Sequence, residues 1–234
     1  MSLAGARSAY LRSAAHQPVQ WREWSDAAFA EASESDRPVL LDIGAVWCHW
    51  CHVMDHESYE DPALATFLNE QFVCIKVDRD ERPDVDSRYQ RAVQAMVGQG
   101  GWPLTGFLTP KGEVFYGGTY FPPDNRHGRP GFRTVLEQVL RFWREDRPRA
   151  LEHASAIRRA IAARTATEAP APAGAASLLA AERRILAFFD PVFGGFGNAP
   201  KFPHPGGIRG ARSGCPAGSR SRHRTLRPPA SGSR

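Results

Sequence analysis

Two cysteines separated by two residues are the clearest chemical feature of this sequence. Cys48 and Cys51 lie in the segment Trp47 to His52, at the predicted start of a helix. Cysteines at this spacing can close a small disulfide, and the positive end of the helix dipole favours the thiolate of the first one. Because a predicted buried strand leads directly into the motif, we interpret Cys48 and Cys51 as a redox pair rather than as two core residues.

The same segment is compatible with two metal-containing alternatives. Four side chains of the types that zinc prefers occur close together: Cys48, Cys51, His52 and His56. A structural zinc usually joins ligands from separate segments, so zinc is the weaker hypothesis here. Cys48-x-x-Cys51-His52 also matches the attachment signature of a c-type haem. A haem protein requires export and an open loop, and neither is indicated, so we expect no cofactor and no metal.

Asp42 and Pro103 fit a redox site by their type and position. Asp42 interrupts the otherwise apolar strand Val39–Ala45, six residues before Cys48. Burial would raise the pKa of this carboxyl group, which could then take and return the proton of the second cysteine. The alternative is that Asp42 only forms a hydrogen bond at the end of the strand. Pro103 begins a predicted hairpin, and a proline at such a position usually marks a turn or the edge of a sheet. A cis bond at Pro103 would instead place backbone groups opposite the cysteines.

Apolar patterns predict the elements that position these residues. Ser25 and Asp61-Pro62 mark helix starts, and Gly98 marks a helix end. The predicted strands are short apolar runs: Val39–Ala45, Phe72–Val77, Leu104–Leu108 and Glu113–Tyr116. Apolar residues at helical spacing lie between the strands and again from Phe132 to Trp143. The order β-α-β-α-β-β-α predicts an α/β or α+β domain over about residues 20–147.

Composition and charge restrict the class of protein. The chain has 234 residues, of which 42% are hydrophobic, and 30 basic and 25 acidic residues give a net charge of +5. Residues 191–234 hold eight basic residues and no acidic one, so residues 1–190 carry a net charge of −3. The basic segment is therefore no argument for nucleic acid as a partner. Without an apolar run of about eighteen residues or an export signal, we expect a cytoplasmic protein.

Longer stretches of the sequence resemble one protein family. The succession of strand, Asp42, cysteine pair, helix, strand and Pro103 resembles the thioredoxin fold. Five segments are similar to the thioredoxin-like domain of the spermatogenesis-associated protein 20 family: VWCHWCHVM, ESYED, FVCIKVDRDERPDVD, QAMVGQGGWPLTGFLTPKG and GGTYFPP. The resemblance implies a thioredoxin-like α/β fold, a central mixed sheet flanked by helices, with a helical extension and a disordered C-terminal tail.

The resemblance implies a role for each candidate site residue. Cys48 would be the attacking thiolate and Cys51 the resolving thiol. Asp42 would be the buried proton acceptor and Pro103 a cis-proline beside the site. His49 and Trp50 replace the Gly-Pro of thioredoxins, and an imidazolium at His49 would favour the Cys48 thiolate. The residues that would flank the site are Trp47, His49, Trp50, His52, Gly101 and Trp102.

The resemblance also divides the chain into four parts. It implies a thioredoxin-like domain over residues 8–147, followed by a helix and an Ala/Pro-rich linker over 148–176. Residues 177–205, which include DPVFGGFGNAPKFPHP, resemble the start of an (α/α)₆ toroid domain. Residues 206–234 are dominated by Gly, Arg, Ser, Pro and Ala, which predicts a disordered basic tail. The resemblance stops near Gly206, where we expect a truncated or frameshifted chain.

These observations predict a thiol–disulfide oxidoreductase that acts through Cys48 and Cys51. Its expected partner is a disulfide- or thiol-containing protein or small molecule, with no nucleic acid and no membrane. The alternative is a non-enzymatic thioredoxin-like module, in which the cysteine pair is structural or binds zinc. Such a module would serve a partner or the toroid domain.

Overall fold

A mixed four-stranded sheet forms the centre of the fold. The computed structural model describes residues 3–126, 128–167 and 175–197. The strands are β1 Val39–Gly44, β2 Val73–Asp78, β3 Leu104–Leu108 and β4 Val114–Gly118. They lie in the order β2-β1-β3-β4; β1 and β2 are parallel, and β3 is antiparallel to both of its neighbours. The predicted strands and the predicted hairpin are confirmed.

Helices precede, separate and follow the strands in the predicted order. They are α1 Ala9–Ser13, α2 Asp26–Glu34, α3 His49–Met54, α4 Pro62–Gln71, α5 Pro83–Val97, α6 Phe132–Glu145, α7 Arg147–Thr167 and α8 Ala175–Ala187. A π-helical segment, Asp55–Tyr59, continues α3. The mixed sheet with helices on both faces is the thioredoxin-like α/β fold that the sequence predicts.

The chain divides into two compact units, Met1–Glu168 and Ala169–Arg234. The first contains the sheet and α1 to α7, and the second contains α8. Within the described ranges, none of the helices combines the length and the apolar character that a membrane span requires. The predicted tail over 206–234, and the expected break near Gly206, lie outside the described residues.

The helix boundaries follow from local hydrogen bonding at the predicted caps. Asp61 accepts a hydrogen bond from the backbone N–H of Leu64 at 2.6 Å, and Pro62 occupies the first position of α4. Ser25 accepts from Ala28 at 3.4 Å at the start of α2. Gly98 ends α5 with φ of 80°, a left-handed conformation that glycine adopts without strain.

Alternation along the strands produces two separate cores, one on each face of the sheet. Leu40 packs in the core formed with α1, α3, α4 and α6, whereas Leu41 packs in the core formed with α2 and α5. Since side chains along a strand alternate between the faces, Asp42 and Gly44 lie on the same face as Leu40. The polar residue of β1 therefore lies on the face that α3 covers.

The N-terminal segment covers the outer edge of β2. Arg22 pairs with this strand, because its N–H donates to the Cys74 carbonyl at 2.9 Å and its carbonyl accepts from the Lys76 N–H at 3.0 Å. Tyr10 and Trp21 of the same segment are buried in the core beside α3. This contact protects a sheet edge that would otherwise expose unpaired backbone groups.

We predict that Asp61→Ala lowers the free energy of unfolding by about 1 kcal/mol, because the Leu64 N–H loses its acceptor. Urea denaturation of the full chain measures this change. Asp61→Ser, which keeps an acceptor at the cap, should lose less than half as much. Equal losses in the two variants would contradict the capping interpretation.

Candidate functional site

The predicted cysteine pair lies at the junction between β1 and α3. The two sulfur atoms are joined in a disulfide at 2.15 Å. Cys48 caps α3, and its Sγ accepts a hydrogen bond from the backbone N–H of Cys51 at 3.1 Å. Cys48 is 6% exposed and Cys51 is 1% exposed. The first cysteine is therefore the one that a substrate in solution can reach more readily.

Asp42 belongs to a buried cluster of three charged side chains. Its Oδ2 accepts a hydrogen bond from Lys76 Nζ at 2.7 Å, and Asp55 Oδ1 accepts from the same ammonium group at 2.8 Å. Lys76 lies opposite Asp42 in the parallel register of β1 and β2 and has no exposed surface. Asp55 is the first residue of the π-helical segment. Asp42 is buried, as the sequence predicts, but it is paired with a cation that the sequence analysis did not identify.

Aromatic side chains enclose the ammonium group of Lys76. The ring centroids of Tyr10, Trp21 and Tyr59 lie 4.8, 4.9 and 5.2 Å from Nζ. Such contacts stabilise a cation that has been removed from water. The two tyrosine hydroxyls also donate to Asp42, from Tyr10 to Oδ2 at 3.2 Å and from Tyr59 to Oδ1 at 3.5 Å. The cluster is therefore a buried network of hydrogen bonds and cation–π contacts.

Two carboxylates share one ammonium group in this cluster, and the pKa values shift accordingly. Burial raises the pKa of Asp42; the charge of Lys76 opposes this shift and that of Asp55 adds to it, so the pKa stays above its usual value. Burial alone would lower the pKa of Lys76, but the two carboxylates raise it, so the lysine remains charged. Asp42 consequently binds a proton more readily than an exposed aspartate does.

The loop that leads into β3 contacts the cysteine motif through a pair of tryptophans. The Trp102–Pro103 peptide bond is cis. Gly101 exchanges two hydrogen bonds with the side chain of Gln90, at 3.0 and 3.1 Å. The ring of Trp102 lies edge-on to Trp47 with the centroids 5.7 Å apart. The structure thus places Trp102 beside Trp47 and holds Gly101 against Gln90, while the roles of Gly101 and Pro103 at the site stay predictions.

An aromatic surface surrounds the cysteines on the solvent side. Trp47 and Trp50 are 55% and 53% exposed. The guanidinium group of Arg79 lies over both tryptophans, 5.6 Å from the ring centroid of Trp47 and 4.6 Å from that of Trp102. Trp50 lies 5.0 Å from Tyr120, measured between ring centroids. Large exposed apolar side chains that are held in place by neighbours are typical of interaction surfaces.

The histidines near the motif make contacts with protein groups. His52 Nε2 lies 2.7 Å from the Val46 carbonyl oxygen, and His56 Nδ1 lies 3.0 Å from a carboxylate oxygen of Glu60. His49 packs against Trp50, with the centroids 5.8 Å apart. In the part of the chain that the structure describes, no group of three or more His, Cys, Asp or Glu side chains is arranged to hold a metal ion. The four side chains of the zinc hypothesis are not brought together.

Cys74 is a third cysteine on the same face of the sheet, and it is unsuited to exchange chemistry. It is a free thiol without exposed surface. Burial raises its pKa to about 12, so it holds its proton at neutral pH. Among the described residues, the thiol chemistry is therefore confined to Cys48 and Cys51.

Sequence reasoning missed four members of the buried cluster: Tyr10, Asp55, Tyr59 and Lys76. A sequence signal for Lys76 exists, because it interrupts an apolar strand as Asp42 interrupts the neighbouring one. Two buried charges of opposite sign on adjacent strands predict a pair, since an unpaired buried charge is costly. Tyr10 and Asp55 carry no comparable signal. Tyr10 lies in a five-residue helix, and Asp55 lies at the end of α3, where the π-helical segment begins.

Comparison with known proteins identifies relatives of the chain. The family model Thioredox_DsbH, described as a protein of unknown function, DUF255, matches residues 1–162. Spermatogenesis-associated protein 20 of Mus musculus is 40% identical over 207 residues, which are 87% of this chain and 26% of that protein. An uncharacterized protein of Caenorhabditis elegans is 40% identical over 201 residues, 86% of this chain and 27% of its own length. The chain thus spans about a quarter of the length of these curated relatives.

A thioredoxin from Thermus thermophilus superimposes with a TM-score of 0.39 at 26% sequence identity. The superposition covers 52% of this chain and 87% of the thioredoxin.

The raised pKa of Asp42 predicts how stability depends on pH. Because the pKa in the folded state lies above the unfolded value, the folded protein binds more protons in the interval between them. The contribution of Asp42 to stability must therefore fall as pH rises through that interval. Relative to Asp42→Asn, the free energy of unfolding of the wild type should fall by up to about 1.4 kcal/mol per pH unit as pH rises from about 4 through this interval. Urea denaturation at several pH values measures both proteins.

Asp36→Asn is a control of the opposite sign. The Asp36 carboxylate forms two hydrogen bonds with Arg147, at 2.6 and 2.9 Å, and these lower its pKa. The stabilisation by Asp36 is present above its unfolded pKa and is lost as pH falls. The free energy of unfolding of the wild type should therefore rise relative to that of Asp36→Asn as pH rises. A difference between wild type and Asp42→Asn that does not vary with pH would show that the pKa of Asp42 is unshifted.

Proposed function

Since this chain belongs to the thioredoxin-like DUF255 family, among whose members it resembles spermatogenesis-associated protein 20, we propose that it is a thiol–disulfide oxidoreductase acting through Cys48 and Cys51. The observation that carries this proposal is the disulfide between the two cysteines at the start of α3. The buried carboxylate of Asp42 on the preceding strand supports it, because the exchange reaction requires a proton acceptor.

The first step of the proposed reaction is attack by Cys48. In the reduced protein, the backbone N–H of Cys51 that lies 3.1 Å from Cys48 Sγ favours a thiolate there, and so does the helix dipole. The thiolate attacks one sulfur of a substrate disulfide. A bond forms between Cys48 and that sulfur, the substrate disulfide breaks, and the other substrate sulfur leaves as a thiolate.

Cys51 completes the exchange. Its thiol gives its proton to Asp42, whose raised pKa favours uptake, and the resulting thiolate attacks Cys48 Sγ. The bond between Cys48 and the substrate breaks, the Cys48–Cys51 disulfide forms, and the second substrate sulfur leaves as a thiolate. Two electrons pass from the cysteine pair to the substrate. The reverse sequence of steps oxidises a substrate dithiol.

The surroundings of the cysteines support a disulfide or thiol group of a protein or small molecule as the substrate. Trp47 and Trp50 offer about half of their surfaces to solvent on the side of Cys48. Aromatic side chains of this kind bind apolar groups with little loss of conformational freedom, because neighbouring rings already hold them. Backbone groups at Pro103 would pair with an extended segment beside the disulfide.

A non-enzymatic module is the second candidate function. It is favoured by the fact that the chain corresponds to about a quarter of its curated relatives, whose family is described as of unknown function. In this case the Cys48–Cys51 disulfide would stabilise the start of α3, and the aromatic surface would contact another part of a longer protein. The cysteines would then contribute to stability without supporting turnover.

We predict that Cys48→Ser abolishes turnover in a dithiol–disulfide exchange assay, since a hydroxyl cannot replace the attacking thiolate. Cys51→Ser should form a mixed disulfide with the substrate and fail to resolve it, which intact-mass measurement detects. Cys74→Ala is the matched control and should retain turnover, because Cys74 is a buried core residue.

Either of two results would replace this proposal with the alternative. One is turnover in Cys48→Ser equal to that of the wild type. The other is one equivalent of zinc bound to the wild type and lost in both Cys48→Ser and Cys51→Ser.

A further inference from the structure

Tyr10 reaches the buried cluster from the N-terminal segment, outside the strands and helices that carry the cysteines. Ser8 caps α1 by accepting from the Leu11 N–H at 3.1 Å, and its hydroxyl donates to Asp78 at the end of β2 at 2.6 Å. These contacts fix the short helix against the sheet. As a result, the Tyr10 side chain is completely buried, with its hydroxyl donating to Asp42 Oδ2 at 3.2 Å.

The same hydroxyl lies next to the resolving cysteine. A Cβ atom placed on Gly44 would lie 2.2 Å from Tyr10 Oη and 2.8 Å from Cys51 Sγ. Those two atoms are therefore within about 5 Å of each other, which is the reach of a direct contact or of one bridging water. Gly44 permits this close approach because it has no side chain.

Neither sulfur of the disulfide carries a hydrogen that it could donate to Asp42. The oxygen atoms of Asp42 accept instead from Lys76, Tyr10 and Tyr59. One of these donors, the Tyr10 hydroxyl, is also within about 5 Å of Cys51 Sγ. A hydroxyl can donate and accept at the same time, so it can connect a thiol to a carboxylate.

We propose that the Tyr10 hydroxyl carries the proton between Cys51 and Asp42, an inference that rests on the proposed oxidoreductase function. When Cys51 attacks the mixed disulfide, its S–H proton passes to Tyr10 Oη while the Tyr10 proton passes to Asp42 Oδ2. Tyr10 is neutral before and after this step, Asp42 becomes neutral, and Cys51 becomes the thiolate that displaces the substrate sulfur. Lys76 then keeps its positive charge beside Asp55.

The burial of the Tyr10 side chain favours a concerted transfer of the two protons. The pKa of Tyr10 is raised well above its usual value, first by desolvation and then by the charge of Asp42, so a phenolate intermediate is disfavoured. The second tyrosine on the carboxylate, Tyr59, contacts the other oxygen, Oδ1, at a longer distance of 3.5 Å. Tyr59 therefore serves as a comparison that touches Asp42 from a different side.

The experiment follows the two steps of exchange separately in the full chain. All variants carry Cys215→Ser, which removes a thiol outside the pair. The reduced protein is mixed in a stopped-flow instrument with dithiobis(nitrobenzoate), a disulfide that releases a coloured thiolate. Attack by Cys48 releases the first thionitrobenzoate, and resolution by Cys51 releases the second. Tyr10→Phe should slow the second release about tenfold or more and leave the first within about twofold of wild type.

Two further variants separate a relay from a structural effect. Tyr89→Phe, which removes a buried hydroxyl bonded to the Gly112 carbonyl on the opposite face of the sheet, should change neither release. Asp42→Asn should slow the second release, and combining it with Tyr10→Phe should slow it no further, since both act on one proton path.

Several results would overturn the inference. These are an unchanged second release in Tyr10→Phe, equal slowing of both releases, slowing by Tyr59→Phe as large as that by Tyr10→Phe, and multiplicative slowing in the double variant. If the wild type releases only the first thionitrobenzoate, the proposed function fails as well, and this result differs from all of the others.

Discussion

The buried ammonium group of Lys76 is the constraint on which the rest of this structure depends. Removing an ion from water costs several kcal/mol, and only well-placed partners offset that cost. Here the partners come from three parts of the chain: Asp42 from β1, Asp55 from the segment after α3, and the rings of the N-terminal segment. A single charge thus connects the strand register, the π-helical segment and the packing of α1.

This constraint also explains the chemistry available at the cysteines. Two carboxylates facing one ammonium leave an excess negative charge in a region without solvent, and a proton relieves it. The disulfide lies between this buried network and the exposed tryptophans. One side of the site is consequently suited to holding a proton and the other to receiving a molecule from solution.

The elements and the cysteine pair were predictable from the sequence because their causes are local. The cap at Asp61, the stop at Gly98 and the apolar strands each depend on a few neighbouring residues. The buried cluster was only half predictable, since Asp42 is conspicuous in an apolar strand whereas its partners depend on tertiary structure. Lys76 required a comparison of two strands, and Asp55 required knowledge that the segment after α3 packs against β2.

Because Tyr10 and Trp21 precede α2, the sheet and the cysteine motif alone do not contain the complete site. A segment beginning at α2 would retain all four strands and both cysteines. It would lack two of the three rings that shield Lys76, together with one hydroxyl on Asp42. Water would then hydrate the ion pair and return Asp42 toward the behaviour of a surface carboxylate. Grafting the strand, the cysteine motif and α3 onto another scaffold would transfer the sulfur atoms without their proton chemistry.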